Sequence, residues 1–257
     1  MARASAYLPV FFGSIPDHGD QVELTGDEGA HAVRVRRMRV GEQLRIADAQ
    51  GKYADCEITA LAGRSLTARI LERGEDVVVP PRIVVAQALP KGDRGALAVE
   101  LMTEAGVDEI IPWQAATCVS RWADNQKAEK GRAKWAATAR EAAKQSRRSR
   151  VPTIADAVDT RALAARLSDS PAVKCLALVL HESTSLPIAD VVDSVRLPDV
   201  EEVVLIVGPE GGITAAEIEA FEDAGALSVR LGPEVLRTST AGVVAVTWIA
   251  SRTRRWS

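Results

Sequence analysis

The stretch VVLIVGPEGGIT, Val203–Thr214, decides how this chain is read. A run of branched apolar residues, Val203 to Val207, stops at Gly208, Pro209, Glu210, Gly211 and Gly212. A short apolar run ended by turn residues suits a strand buried on both faces of a parallel sheet. Thr214 and Glu217 follow at the spacing of a capping box, which predicts a helix from about Ala215 to Gly225. The glycine turn therefore lies at the carboxyl end of a strand, where open α/β sheets bind ligands, and adjacent glycines let a ligand approach without meeting a Cβ. A tight strand-to-helix turn with no ligand has the same local pattern.

Spacing excludes two familiar ligands. Gly208, Gly211 and Gly212 do not form G-x-G-x-x-G, and no Gly-Lys-Ser/Thr follows to cradle a triphosphate. The G-x-S-x-G and H-E-x-x-H hydrolase signatures are also missing. Cys56, Cys118 and Cys175 are far apart, as are His18, His31 and His181, so neither a disulfide framework nor a metal site is expected. The opening MARASAYLPVFFGSIPD reaches a proline and an acid before an apolar core develops, unlike a signal peptide, and no segment approaches the roughly 20 apolar residues of a membrane span. The expected location is the cytoplasm.

Working outward, the later strands KCLALVLHE, EVVLIVGPEGG and ALSVRLGPE each end on unusual residues. Upstream, IVVAQAL reads as a strand, DRGALAVELMTEAG as a helix, VDEIIPW as a strand and residues 126–149 as a long basic helix. This alternation predicts an α/β domain with a mostly parallel sheet over residues 76–257. Before EDVVVPPR the pattern differs. EQLRIAD, GKYADCEITAL and RSLTARILE, separated by glycine turns, predict a small antiparallel barrel over residues 1–75. The segment Asp27–Met38 is predicted as a helix with an acidic start and a basic end, presenting Arg34 and Arg37 together. Ser239 and Thr240 are placed to cap the last helix.

The net charge of −3 conceals two basic clusters. Residues 121–150 hold ten Lys or Arg against three acids, ending in Arg147, Arg148 and Arg150. Arg34, Arg36, Arg37, Arg39 and Arg45 face only Glu42. Such clusters suggest phosphate contacts, although a solvated helix face gives the same pattern.

Taken together, LIVGPEGGIT, LGPEVLRTSTA, ALPKGDR and TEAGVDEIIP resemble the SPOUT class of RNA methyltransferases, and within it the bacterial 16S ribosomal RNA uridine N3-methyltransferases, the RsmE family. The resemblance covers nearly the whole chain, including HAVRVRRMRVGEQLRIAD, which looks like the family's amino-terminal PUA-like barrel. It implies a trefoil-knotted parallel sheet with helices on both faces, a homodimer, and S-adenosylmethionine bound without metal. Carried over by residue, cofactor contacts fall on Leu180, His181, Val207, Gly208, Glu210, Gly211, Gly212, Leu231 and Gly232, and on Leu236, Arg237, Thr238, Ser239, Thr240 and Ala241. Arg34, Arg36, Arg37, Arg39, Lys91, Arg94, Arg147, Arg148 and Arg150 form the expected RNA track within the small ribosomal subunit.

Methylating uracil N3 requires loss of its proton. Arg237 is the expected stabiliser of the resulting charge, and Glu210 the candidate acid or base. Two positions depart from the family: Ser239 and Lys144 each stand where it usually has glutamate. Two other readings use the same residues: a methyltransferase for another RNA nucleoside, and a ribosome-assembly factor that binds RNA with impaired catalysis.

Overall fold

The computed structural model describes residues 8–169, 174–195 and 197–256, so the start of the amino-terminal stretch lies outside them. The chain folds as two compact units: Met1–Val77 with Arg140–Val151, and Val78–Ala139 with Pro152–Ser257.

In the first unit five strands, β1 (Val10–Phe12), β2 (Gln21–Leu24), β3 (Gln43–Ala47), β4 (Lys52–Ala62) and β5 (Ser65–Glu75), run in the order β1-β3-β4-β5-β2. All pairs are antiparallel except β1 with β3. The predicted strands are β3, β4 and β5. The outer strands β1 and β2 are too short to show a period of two. Phe11, Val22, Leu44, Ile46, Ile58 and Leu66 point into one core.

The helix expected over Asp27–Met38 is shorter. It is α1 (Gly26–Ala30) continued by one π turn, His31–Val35, and Arg37 at φ 54° lies beyond its end. Arg34, Arg36, Arg37 and Arg39 are nonetheless all exposed.

The second unit is built on β6 (Arg82–Ala88), β7 (Glu109–Gln114), β8 (Thr153–Ile154), β9 (Val158–Asp159), β10 (Cys175–Leu180), β11 (Glu202–Val207) and β12 (Leu227–Val229). They form a seven-stranded sheet in the order β12-β10-β11-β6-β7-β8, with β9 on β7, and every pairing is parallel. Central β11 is buried throughout Val203–Val207, as its unbroken apolar run requires. Each such side chain contributes about 1.5–3 kcal/mol of burial.

Helices α2 (Arg94–Glu104), α4 (Thr160–Ser168), α5 (Ile188–Ser194), α6 (Ala215–Asp223) and α7 (Thr238–Ala250) cover the faces of this sheet, and the residues of α3 (Asn125–Gln145) are divided between the two units after Ala139. Gln87 of β6 reaches the first residue of α7, and Pro112 pairs with it on β7. Trp113, one residue on, points to the opposite side, where it meets Phe221 of α6 and donates to Thr160 of α4. Helix α6 begins as its sequence requires. The Thr214 hydroxyl accepts from the Glu217 N–H, and Glu217 bonds back to Thr214.

Helix α7 starts two residues earlier than a cap at Ser239 would place it. Arg237 is the N-cap, through its backbone carbonyl, and Thr238 opens the helix. Ser239 and Thr240 are thus inside the first turn. No helix among the described residues is long and apolar enough to cross a membrane.

Candidate active site

At the carboxyl ends of β10 and β11 lies a cavity of about 290 Å³. Leu180, Val207, Leu236 and Ala241 give it apolar walls, Gly208, Pro209, Glu210, Gly212 and Ile213 its turn side, and Arg94, Glu182, Arg237 and Thr238 its polar groups. A smaller adjoining recess of about 60 Å³ adds His181, Arg230, Leu231, Gly232 and Glu234. Twelve of the fifteen expected cofactor residues therefore line one hollow. Gly211, Ser239 and Thr240 do not line it.

Gly211 has another reason to be glycine. A Cβ there would meet Thr117 at 2.9 Å, in the loop that follows β7. Gly212, at φ 77°, is the position whose backbone favours glycine, and nothing stands within 4 Å of where its Cβ would be. The Thr117 hydroxyl donates to the Gly212 carbonyl at 2.6 Å, fixing the turn from behind.

Three further contacts hold the loops together. Chain returning from β12 brings Thr238 under the glycine turn, where its hydroxyl donates to the Gly208 carbonyl at 2.7 Å. The same oxygen accepts from Gln87 Nε2 at 3.0 Å, and Gln87 is fully buried. Glu210 accepts from the Lys91 N–H at 3.2 Å and from Arg94 at 3.4 Å, both on Oε1. Gln87 and Thr117 carry no signal in a single sequence, because each acts through a partner distant along the chain.

Glu217 supports the same turn from the helix side. Its carboxylate accepts from the Ala116 N–H, the Thr160 hydroxyl and both the N–H and hydroxyl of Thr214. Burial alone would raise its pKa, but these hydrogen bonds outweigh burial and hold it below the usual carboxylate range. Arg237 is exposed at the cavity mouth, with no ion-pair partner for its guanidinium among the described residues.

Thiol chemistry has no support here. Cys56 is buried, and burial with the nearby Asp55 pushes its thiol up to about 12. Among the described residues no group of three or more His, Cys, Asp or Glu is placed to hold a metal ion.

The expected RNA residues differ in exposure and in the contacts they make. Lys91, Arg94 and Arg147 are exposed and Arg148 is partly so. Arg150 instead donates to the Asp76 carbonyl at 3.1 Å and packs beneath Gly51. Lys144, whose departure from glutamate suggested a more basic surface, is only 10% exposed and bridges Glu28 and Glu141. Much of the basic excess of α3 is likewise offset by acids remote in sequence: Lys134 by Asp93 at 2.8 Å, Arg132 by Asp156 at 3.4 Å and Arg140 by Glu28 at 3.6 Å.

A hollow with apolar walls, a braced glycine turn and the carboxylates Glu182 and Glu234 at its rim fits a nucleoside bearing a charged amino-acid chain. Comparison with known proteins agrees with that chemistry. Residues 79–250 match the RNA methyltransferase domain family and residues 24–71 the RNA methyltransferase PUA domain family. The ribosomal RNA small subunit methyltransferase E of Mycobacterium tuberculosis is 44% identical over 96% of this chain and 92% of its own length. Its Bacillus subtilis counterpart is 34% identical over 90% of each. The crystal structure of the Neisseria gonorrhoeae ribosomal RNA small subunit methyltransferase E bound to S-adenosyl methionine has 27% identity and a TM-score of 0.83, covering 98% of this chain and all of that one. The chain belongs to the ribosomal RNA small subunit methyltransferase E family, the RsmE family of RNA methyltransferases.

Proposed function

We infer that this protein transfers the methyl group of S-adenosylmethionine to N3 of a uridine in 16S ribosomal RNA. The observation that carries the reading is the single hollow formed by the loops at Leu180–Glu182, Val207–Ile213 and Val235–Ala241, in a chain of this family. When bound, S-adenosylmethionine supplies an electrophilic methyl on sulfur. The chain's residues align the acceptor and manage its proton.

We assign Arg237 to the charge that develops on uracil when N3 loses its proton. Its position at the cavity mouth and its unpaired guanidinium among the described residues support this role. The N3 proton must leave for the methyl to take its place, and Glu210 or water would accept it. Glu210 lines the same hollow, and both of its contacts fall on Oε1, leaving Oε2 without a hydrogen bond among the described residues. Its hold on Lys91 and Arg94 also braces the turn, so Glu210→Gln separates the roles: bracing survives the change and proton transfer does not.

The Ser239 departure does not favour an impaired enzyme. Ser239 is 4% exposed and outside the cavity lining, and the chain matches the RNA methyltransferase domain family over residues 79–250 with serine at this position. The trefoil knot belongs to this reading and is supported by the return of the chain from β12 to seat Thr238 beneath Gly208. The homodimer is supported by Leu97 of α2 and Val244 of α7, apolar residues exposed on helices that pack together. RNA contact by the first unit is supported by exposed Arg34, Arg36, Arg37 and Arg39, and by a cavity of about 220 Å³ there lined by His31, Arg36, Lys144 and Arg147.

The test is methylation of small ribosomal subunits lacking the modification, using labelled S-adenosylmethionine followed by nucleoside analysis. Label in N3-methyluridine is expected. Label in a different nucleoside, or none, overturns the assignment.

A further inference from the structure

A second hollow lies along the same edge of the parallel sheet. It has a volume of about 110 Å³ and sits between the loops that leave β6 and β7, with α2 and α3 behind it. Pro90, Gly92 and Ala96 form one wall, and Trp122, Lys134 and Trp135 the other. Since β6 lies beside β11, the loop carrying Pro90 and Gly92 has this hollow on one flank and Glu210 of the cofactor hollow on the other.

The indoles are held in position. Trp122 and Trp135 meet edge to face, with ring centroids 5.4 Å apart. Each fills a notch that only glycine leaves open: a Cβ on Gly131 would come within 2.3 Å of Trp122, and one on Gly95 within 2.9 Å of Trp135. The Gln114 side chain at the end of β7 brackets the loop, accepting from the Trp122 N–H at 3.1 Å and donating to the Ser120 carbonyl at 3.2 Å. Trp135 is 5% exposed and serves as backing, whereas Trp122 is only partly buried. At the rim the Lys134 ammonium is well exposed beside Asp93. None of this arrangement is needed by the cofactor hollow.

We propose that this notch receives a nucleobase of single-stranded ribosomal RNA flanking the methylated uridine, stacked against Trp122, with Lys134 meeting a phosphate of the same strand. The proposal rests on the RNA methyltransferase reading and extends it to a second point of substrate contact. Unpaired RNA presents splayed bases that stack on aromatic side chains, and a fixed indole beside an exposed cation matches that chemistry. A base held there anchors the strand while its neighbour turns into the reaction hollow.

The test measures steady-state methylation of unmodified small subunits at saturating S-adenosylmethionine, with cofactor affinity measured separately by calorimetry. Loss of one base stack corresponds to roughly 5- to 150-fold in RNA affinity. Trp122→Ala is expected to raise the KM for RNA by that order while kcat and cofactor affinity hold, and Trp122→Phe to restore most of it. Ala96→Met fills the notch without removing an indole contact and is expected to raise the same KM. It decides the matter if Trp122→Ala loses cofactor binding through misfolding. An unchanged RNA KM in Ala96→Met overturns the proposal, whatever Trp122→Ala does. Failure of the wild-type protein to methylate the subunit would instead overturn the functional reading itself, so the two failures are distinguishable.

Discussion

The two ends of the parallel sheet obey opposite rules. At the amino ends of β6, β7 and β11, charges are matched: Glu109 pairs with Arg82 and Arg166, and both arginines also reach Glu202. Nearby, Asp108 accepts from the Ile83 N–H and pairs with Arg255 at 2.8 Å. At the carboxyl ends the backbone turns on glycines, Arg237 is open, and short hydrogen bonds tie loop to loop. One end is tied within itself and the other is shaped to meet something else. In a parallel sheet all strand carboxyl ends share an edge, so residues distant in sequence can meet there without disturbing the core.

The sharpest way to break this contrast is at Arg237. Arg237→Ala should lower single-turnover methylation roughly 100-fold or more, about 2.7 kcal/mol, with cofactor affinity and thermal stability nearly unchanged. Lysine should restore only part of the rate, since it supplies charge without the planar fork. Full-rate methylation by the alanine variant at saturating cofactor would remove Arg237 from the chemistry. At the opposite end, Glu109→Ala should destabilise the fold by about 2 kcal/mol. This is less than the roughly 3–5 kcal/mol of a fully buried pair, because Arg82 and Arg166 retain 37% and 33% side-chain exposure. Denaturant unfolding reads that loss; an unchanged midpoint would mean the matched end adds nothing.

The same carboxylate carries a pH signature. Burial would raise Glu109, but Arg166 and Arg82 outweigh it and hold its pKa below the usual 4.5. A depressed folded value contributes stability above the unfolded pKa and loses it as pH falls through the folded one. The stability gap between wild type and Glu109→Gln should therefore be full at neutral pH and close progressively below about pH 4.5. A gap that persists in acid would assign the effect to packing.

Thr238 belongs to the carboxyl end. Thr238→Val leaves the Gly208 carbonyl and the Gln87 amide each short of a partner, which costs about 1–3 kcal/mol. Calorimetry should show S-adenosylmethionine binding weakened by roughly tenfold, with recovery in Thr238→Ser. The smallest effect is expected on the first unit. Neutralising Arg36 should reduce the slope of log RNA affinity against log salt by about 0.7–0.9. A salt slope indifferent to Arg36 would make it an ordinary solvated residue.

What was legible in the sequence follows the same division. Strand β11, the capping box of α6 and the glycine turn could be read because each is written in neighbouring residues: an apolar run, a Thr and a Glu three apart, a cluster without side chains. The family motifs then named most of the residues that line the hollow at the carboxyl edge. The partners of the charges on α3 were hidden for the converse reason. Lys134, Arg132 and Arg140 are offset by Asp93, Asp156 and Glu28, which a local window cannot see. Gln87 was hidden in an apolar strand, and the rear support of the turn in Thr117, an ordinary loop threonine. The short β8 and β9 hold only two residues each, too few for any period to appear.

The clasp between Thr238 and Gly208 also has a consequence in time. The hollow at the carboxyl edge draws on residues from Arg94 to Ala241, so a nascent chain that has not yet released Thr238 from the translating ribosome has no closed pocket. The first unit needs nothing beyond Val151. During its own synthesis the chain therefore has every residue of its first unit well before the hollow at the carboxyl edge of the second can close.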